Sequence, residues 1–84
     1  MKHWEEVVSV KPIDNHILDL TFANGERKTY DMAGHFDRGV FKKLKEPLVF
    51  NSARVEYGTV VWAFGLDIAP EELYWNGTPI GQTR

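Results

Sequence analysis

Hydrophobic positions along the chain fall into short runs whose period changes from one to the next. Val7, Val8 and Val10 make a β-favouring run that stops at Pro12, which predicts a first strand ending near Lys11. From His16 the pattern alternates, with Leu18, Leu20 and Phe22 on one side and Ile17, Asp19 and Thr21 on the other, the signature of a half-buried strand. Asn24-Gly25 is a strong hairpin signal, and Lys28, Tyr30 and Met32 then return in period two. A tight two-residue turn would pair Phe22 with Arg27 and put Tyr30 on the face opposite Leu18, Leu20 and Phe22. A three-residue loop with Gly25 in a left-handed bulge pairs Phe22 with Glu26, Leu20 with Lys28 and Leu18 with Tyr30. All the apolar side chains then share one face, so the bulged register is predicted.

Residues 33–39 read as a loop holding His35 and Asp37. Val40, Phe41 and Leu44 then match helical spacing with Lys42, Lys43 and Lys45 outward, and Pro47 opens a second short helical piece with Leu48, Val49 and Phe50. Val55, Tyr57, Val60, Val61 and Trp62 give two strands in a hairpin broken near Gly58, and residues 65–68 a further extended piece. Pro70 with Glu71 and Glu72 starts a helix, placing carboxylates where the helix dipole favours them; Gly77 stops it. Strands first, with short helices inserted and one at the end, predict an α+β fold. The expectation is a mainly antiparallel sheet of about four to six short strands carrying two or three short helices. Residues 1–77 form the single domain and 78–84 a disordered tail.

Length and composition narrow the function. A chain of 84 residues holds one domain, and 43% hydrophobic with 26% charged residues is ordinary globular material. A net charge of -2 gives no global attraction to phosphate backbones or anionic membranes. No cysteine is present, so disulfides, thiolate metal sites and cysteine nucleophiles are excluded. Without a signal-peptide-like apolar core or a membrane-length apolar run, the expected location is the cytoplasm, with no membrane partner.

Candidate chemistry is sparse. His3, His16 and His35 lack metal-ligand spacing, the glycines fit no phosphate loop, and no cofactor is expected. His35 with Asp37 resembles a catalytic fragment, but no nucleophile, base and orienter can be named together, so no enzyme is expected. Arg38, Lys42, Lys43 and Lys45, with Phe36 and Phe41 interleaved, form a candidate nucleic-acid patch. Eleven of the 84 residues are aromatic, more than so small a core should enclose, which predicts an exposed partner surface around Trp62, Phe64, Tyr74 and Trp75.

One resemblance covers nearly the whole chain. Gly39-Val40-Phe41 with Leu44, Glu46-Pro47 and Phe50, Val55, Gly58-Thr59-Val60 and Trp62 resemble the uncharacterised bacterial family called domain of unknown function 2442 (DUF2442). Its most specific part is Gly65, Asp67 and Ile68 leading into Pro70-Glu71-Glu72-Leu73-Tyr74; upstream, Phe22, Asn24-Gly25 and Tyr30-Asp31 are similar to the family's hairpin. Family members usually carry Pro-Asn-Gly after the tryptophan, where this chain has Ala63-Phe64-Gly65. The resemblance implies a small α+β domain without established catalytic residues. It also implies association, since some relatives are joined to helix-turn-helix domains or encoded beside small proteins in toxin–antitoxin-like arrangements. Read physically, Asp67 would accept hydrogen bonds from the amides of the turn entering Pro70, and Tyr74 would pack beside Trp62. The function expected is a non-enzymatic protein-interaction or accessory regulatory module, binding another protein or a second copy. The alternative is a nucleic-acid-binding regulator using the Arg38 to Lys45 patch.

Overall fold

A computed structural model describes residues 3–80. Among the described residues, seven short strands form two antiparallel sheets, with short helices between them, an α+β architecture. The first sheet runs β1 (Val7–Ile13), β2 (Ile17–Phe22), β3 (Arg27–Asp31) and β7 (Thr78–Pro79), in the order β1-β2-β3-β7. The second contains β4 (Arg54–Glu56), β5 (Thr59–Val61) and β6 (Asp67–Ile68), in chain order.

The period-two pattern sets the register. Leu18 pairs with Tyr30 and Leu20 with Lys28, while the Phe22 amide donates to the Glu26 carbonyl at 2.9 Å, as the bulged hairpin requires. Gly25 takes φ 91°, a conformation that glycine adopts without the Cβ penalty. Leu18, Leu20, Phe22 and Tyr30 are all buried. β1 runs two residues beyond its predicted end, because Pro12 lies on an edge strand where a missing donor is tolerated. Asp14 and Asn15, both left-handed at φ 52° and 61°, turn the chain into β2; short polar side chains suit that conformation.

The helical pieces seal the core. Residues Gly39–Lys45 wind as a 3-10 helix rather than an α-helix, and its repeat of three separates two stripes. Phe41 and Leu44 turn inward, whereas Val40 aligns with Lys43 and stays 63% exposed, contrary to the helical spacing expected for it. α1 (Pro47–Phe50) begins at its proline and buries Phe50, which lies 6.5 Å from the Trp62 ring. β4 and β5 form the predicted hairpin through Tyr57 and Gly58, both left-handed.

α2 (Pro70–Asn76) carries Glu71 and Glu72 in its first turn and buries Leu73. One expectation about it is corrected. Ala69 is its N-cap and no side chain caps it; Asp67 is an exposed β6 residue paired with Val61, so its carboxylate does not serve the helix. The helix ends at Gly77, as expected; the glycine has φ -71°, and close approach of the backbone selects it. A Cβ there would lie 2.6 Å from the Leu73 carbonyl oxygen. Residues 78–80 are not part of the disordered tail expected from the sequence: Thr78 and Pro79 pair with Thr29 and Lys28, and the Ile80 amide donates to the Arg27 carbonyl at 3.0 Å. That edge of β3 offers open backbone groups which the segment after Gly77 satisfies. Residues 81–84 of the predicted tail lie outside the described residues.

Candidate interaction surface

The four aromatics expected to make one partner surface do not share one. Trp62 is wholly buried, because the chain leaving β5 points it between the sheet and Phe50, and its indole N–H has no hydrogen-bond partner among the described residues. Tyr74 packs not on Trp62 but edge-on against Phe22, with ring centroids 5.0 Å apart. The Lys28 ammonium sits 3.8 Å from the Tyr74 ring centroid and donates to the Tyr74 carbonyl, while the Tyr74 hydroxyl donates to Glu26. That bond holds the Glu26 carboxyl below its ordinary range, and the same carboxylate raises the tyrosine. Asn24 orders the turn beneath, accepting from the Glu26 amide at 3.0 Å. Trp75 meets Trp4 edge to face at 6.1 Å and donates its indole N–H to the His3 carbonyl at 2.8 Å. The aromatics of α2 therefore lash the N-terminal segment and the β2–β3 turn to the helix.

Phe64 is different. Residues Ala63–Gly65 form a short turn in which Phe64 has φ 68° and ψ 18°, followed by Gly65 at φ 73°. The turn is closed by a hydrogen bond from the Trp62 amide to Leu66 and by the Ala63 amide, which donates to the Ser52 hydroxyl just beyond α1. The left-handed backbone throws the ring outward, leaving it 71% exposed. The Lys43 ammonium lies over it, 5.1 Å from the centroid. Lys43 shares its stripe of the 3-10 helix with Val40, so Val40, Lys43 and Phe64 form one strip of surface.

The candidate nucleic-acid residues lie on and beside that helix. Lys45 pairs with Asp37 at 2.9 Å, and the ammonium holds the Asp37 carboxyl below its ordinary range. Arg38, Lys42 and Lys43 have no carboxylate partner among the described residues. The interleaved rings are not free to stack on bases: Phe36 packs on Phe50 and Phe41 on His35. Phe64, which the sequence assigned to a different surface, is an exposed ring beside one of these cations, Lys43.

The structure does not bring His35 and Asp37 together: Asp37 engages Lys45. His35 instead joins a chain that the sequence did not reveal. The Tyr30 hydroxyl donates to Glu72 at 2.6 Å and meets His35 Nε2 at 2.9 Å. The phenol has one proton and gives it to Glu72, so the proton of His35 sits on Nε2. Burial, then Glu72, push the Tyr30 hydroxyl well above its ordinary range. The chain ties β3 to α2 and to the turn after β3. An open depression lies elsewhere, lined by residues 24–28 with Pro79 and Ile80, and none of Tyr30, His35 and Glu72 borders it. Among the described residues no three His, Asp or Glu side chains gather as metal ligands, and no helix is long and apolar enough to cross a membrane.

The family described as "Protein of unknown function (DUF2442)" matches residues 7–79, and the chain belongs to it. No curated protein and no solved structure matches the chain.

Proposed function

We propose that this DUF2442 member is a non-enzymatic, cytoplasmic interaction module, an accessory regulator whose contact surface is the Phe64, Lys43 and Val40 strip. The observation that carries the proposal is Phe64 itself, held at φ 68° with its ring 71% exposed. A left-handed backbone costs a bulky residue about 1–2 kcal/mol, which the ring's partial cover and its Lys43 contact do no more than offset. Strain kept where asparagine would avoid it, with no net packing gain, points to a functional position. Tyr57 shares the left-handed backbone and is 96% exposed, but its ring ends in a polar hydroxyl open to solvent and, among the described residues, no cation lies over it. Tyr57 is therefore the natural control. The pairing of Asp37 with Lys45 and of His35 with Tyr30 supports a binding role over a catalytic one.

Site-specific crosslinking tests the proposal. A photoreactive phenylalanine analogue replacing Phe64 should yield adducts of discrete mass in native lysate, and the same analogue at Tyr57 should not. Adducts between two copies in purified protein would identify self-association. Equal labelling at both positions, or none at either, would remove the surface from consideration.

A second reading is favoured by the unpaired Arg38, Lys42 and Lys43, which could follow a phosphate backbone. Retention on immobilised DNA that falls steeply with salt would support it.

A further inference from the structure

Resting on the surface just described, we infer that its occupant is a short acidic segment of a partner protein, carrying an apolar side chain that seats against Phe64 and Val40. Charge supplies the first reason. Among the described residues, Lys11, Arg38, Lys42 and Lys43 are the cations without a carboxylate or carbonyl partner, and three of the four fall within six positions. Segment 37–46 holds four of the ten cations and two of the twelve carboxylates, so it stands at +2 while the rest of the chain stands at -4. The surface is thus a basic island on an acidic protein. At physiological salt, charges interact over roughly 8 Å. A short acidic segment can lie within such an island, whereas a long polyanion would run onto acidic ground around it.

Ring availability supplies the second reason. Stacking of successive bases needs several exposed platforms, but Phe36 and Phe41 are packed against Phe50 and His35. Among the described residues, Phe64 is the exposed ring that has one of these cations, Lys43, over it. One bare ring with the unpaired Lys43 over it, and Val40 one turn along the same side of the helix, matches an apolar anchor beside a carboxylate. Aromatic anchors ringed by polar contacts carry most of the energy at protein interfaces.

The test uses the full chain and three fluorescent probes: a peptide of alternating glutamate with leucine and phenylalanine, the same peptide with lysine for glutamate, and oligothymidylate. Fluorescence anisotropy should show saturable binding of the acidic peptide, weakening as salt rises. Phe64→Asn should weaken it about tenfold, and the double reversal Lys42→Glu with Lys43→Glu should abolish it. Salt dependence on the unaltered protein gives the same information should the double variant fold poorly. Equal binding of the lysine peptide, or no binding of the acidic one, would overturn the inference. Tighter binding of oligothymidylate, reduced by Phe64→Asn, would overturn the occupant while leaving the surface standing. Peptide binding indifferent to Phe64→Asn, together with no crosslink from position 64, would sink both.

Discussion

Replacing Phe64 with asparagine separates a ring kept for packing from a ring kept for contact. At φ 68° and ψ 18° the residue occupies the left-handed region, which asparagine tolerates and phenylalanine does not. Relief of that strain should return about 1–1.5 kcal/mol. On the other side, a phenylalanine side chain offers roughly 200 Å². With the residue 71% exposed, about 60 Å² is covered, worth about 1.5 kcal/mol at ~25 cal/mol/Å². The exposed Lys43 contact adds about 0.5 kcal/mol. Phe64→Asn should therefore leave stability within about 1 kcal/mol of the parent. Phe64→Ala keeps the strain, loses the cover and should cost about 2 kcal/mol. Urea unfolding followed by the fluorescence of the three tryptophans, of which Trp62 is buried, measures both, with the midpoint shifting at constant slope. If Phe64→Asn cost ~3 kcal/mol or more, as a buried phenylalanine would, the ring would be structural and the proposed surface would lose its main support.

Three further outcomes follow from the fold. Gly77→Ala should destabilise by about 2–3 kcal/mol, since the new Cβ would meet the backbone Leu73 oxygen at 2.6 Å and that oxygen cannot yield without opening the helix end; thermal melting reads this directly. Tyr30 holds its proton more tightly folded than its ordinary value of 10.0 allows, so its contribution is complete below pH 10 and fades as the pH climbs beyond it. Tyr30→Phe should lower stability at neutral pH by about 1–3 kcal/mol through the lost hydrogen bonds and flatten the alkaline decline in a pH series of urea midpoints. The Asp31 carboxyl is held below its ordinary 3.8 by the Ala33 amide first and His16 second, so its contribution is present above that value and disappears as acid protonates it. Asp31→Asn should show a shallower loss of stability on acidification below pH 3.8, and an unchanged acid profile would show that the two contacts are idle.

Local periodicity carried the fold further than the site. The β2–β3 register was legible because one choice gathered Leu18, Leu20, Phe22 and Tyr30 on a single face and the other split them, a difference of several buried side chains. The start of α2 was legible because Pro70 fixes its own backbone whatever packs nearby. Division of the strands into two sheets was not, since it depends on which edges meet after the chain has folded back. Nor was pairing of Thr78 with Thr29, a contact across 49 positions with no periodic signal. For the site, residue type indicated Phe64 and Lys43 but assigned them to separate surfaces. The chain of Tyr30, His35 and Glu72 brings three elements together and left no spacing to find.

The 3-10 winding of residues 39–45 is what turns a sealing element into a surface. An α-helix over Val40, Phe41 and Leu44 would turn all three toward the sheet and leave the lysines as a solvated face. With three residues per turn, Phe41 and Leu44 suffice for the seal, and Val40 is released to stand in line with Lys43. The Ala63–Gly65 turn then delivers Phe64 to that line, because the left-handed backbone at 64 directs the ring away from the core that Trp62 has just entered. Crowding cannot account for the ring's position, since Phe22, Phe50 and Trp62 are all enclosed and asparagine would fit the same turn at lower conformational cost. What distinguishes Phe64 is that the fold can do without its ring, and a side chain released from folding in this way is available for contact with another chain.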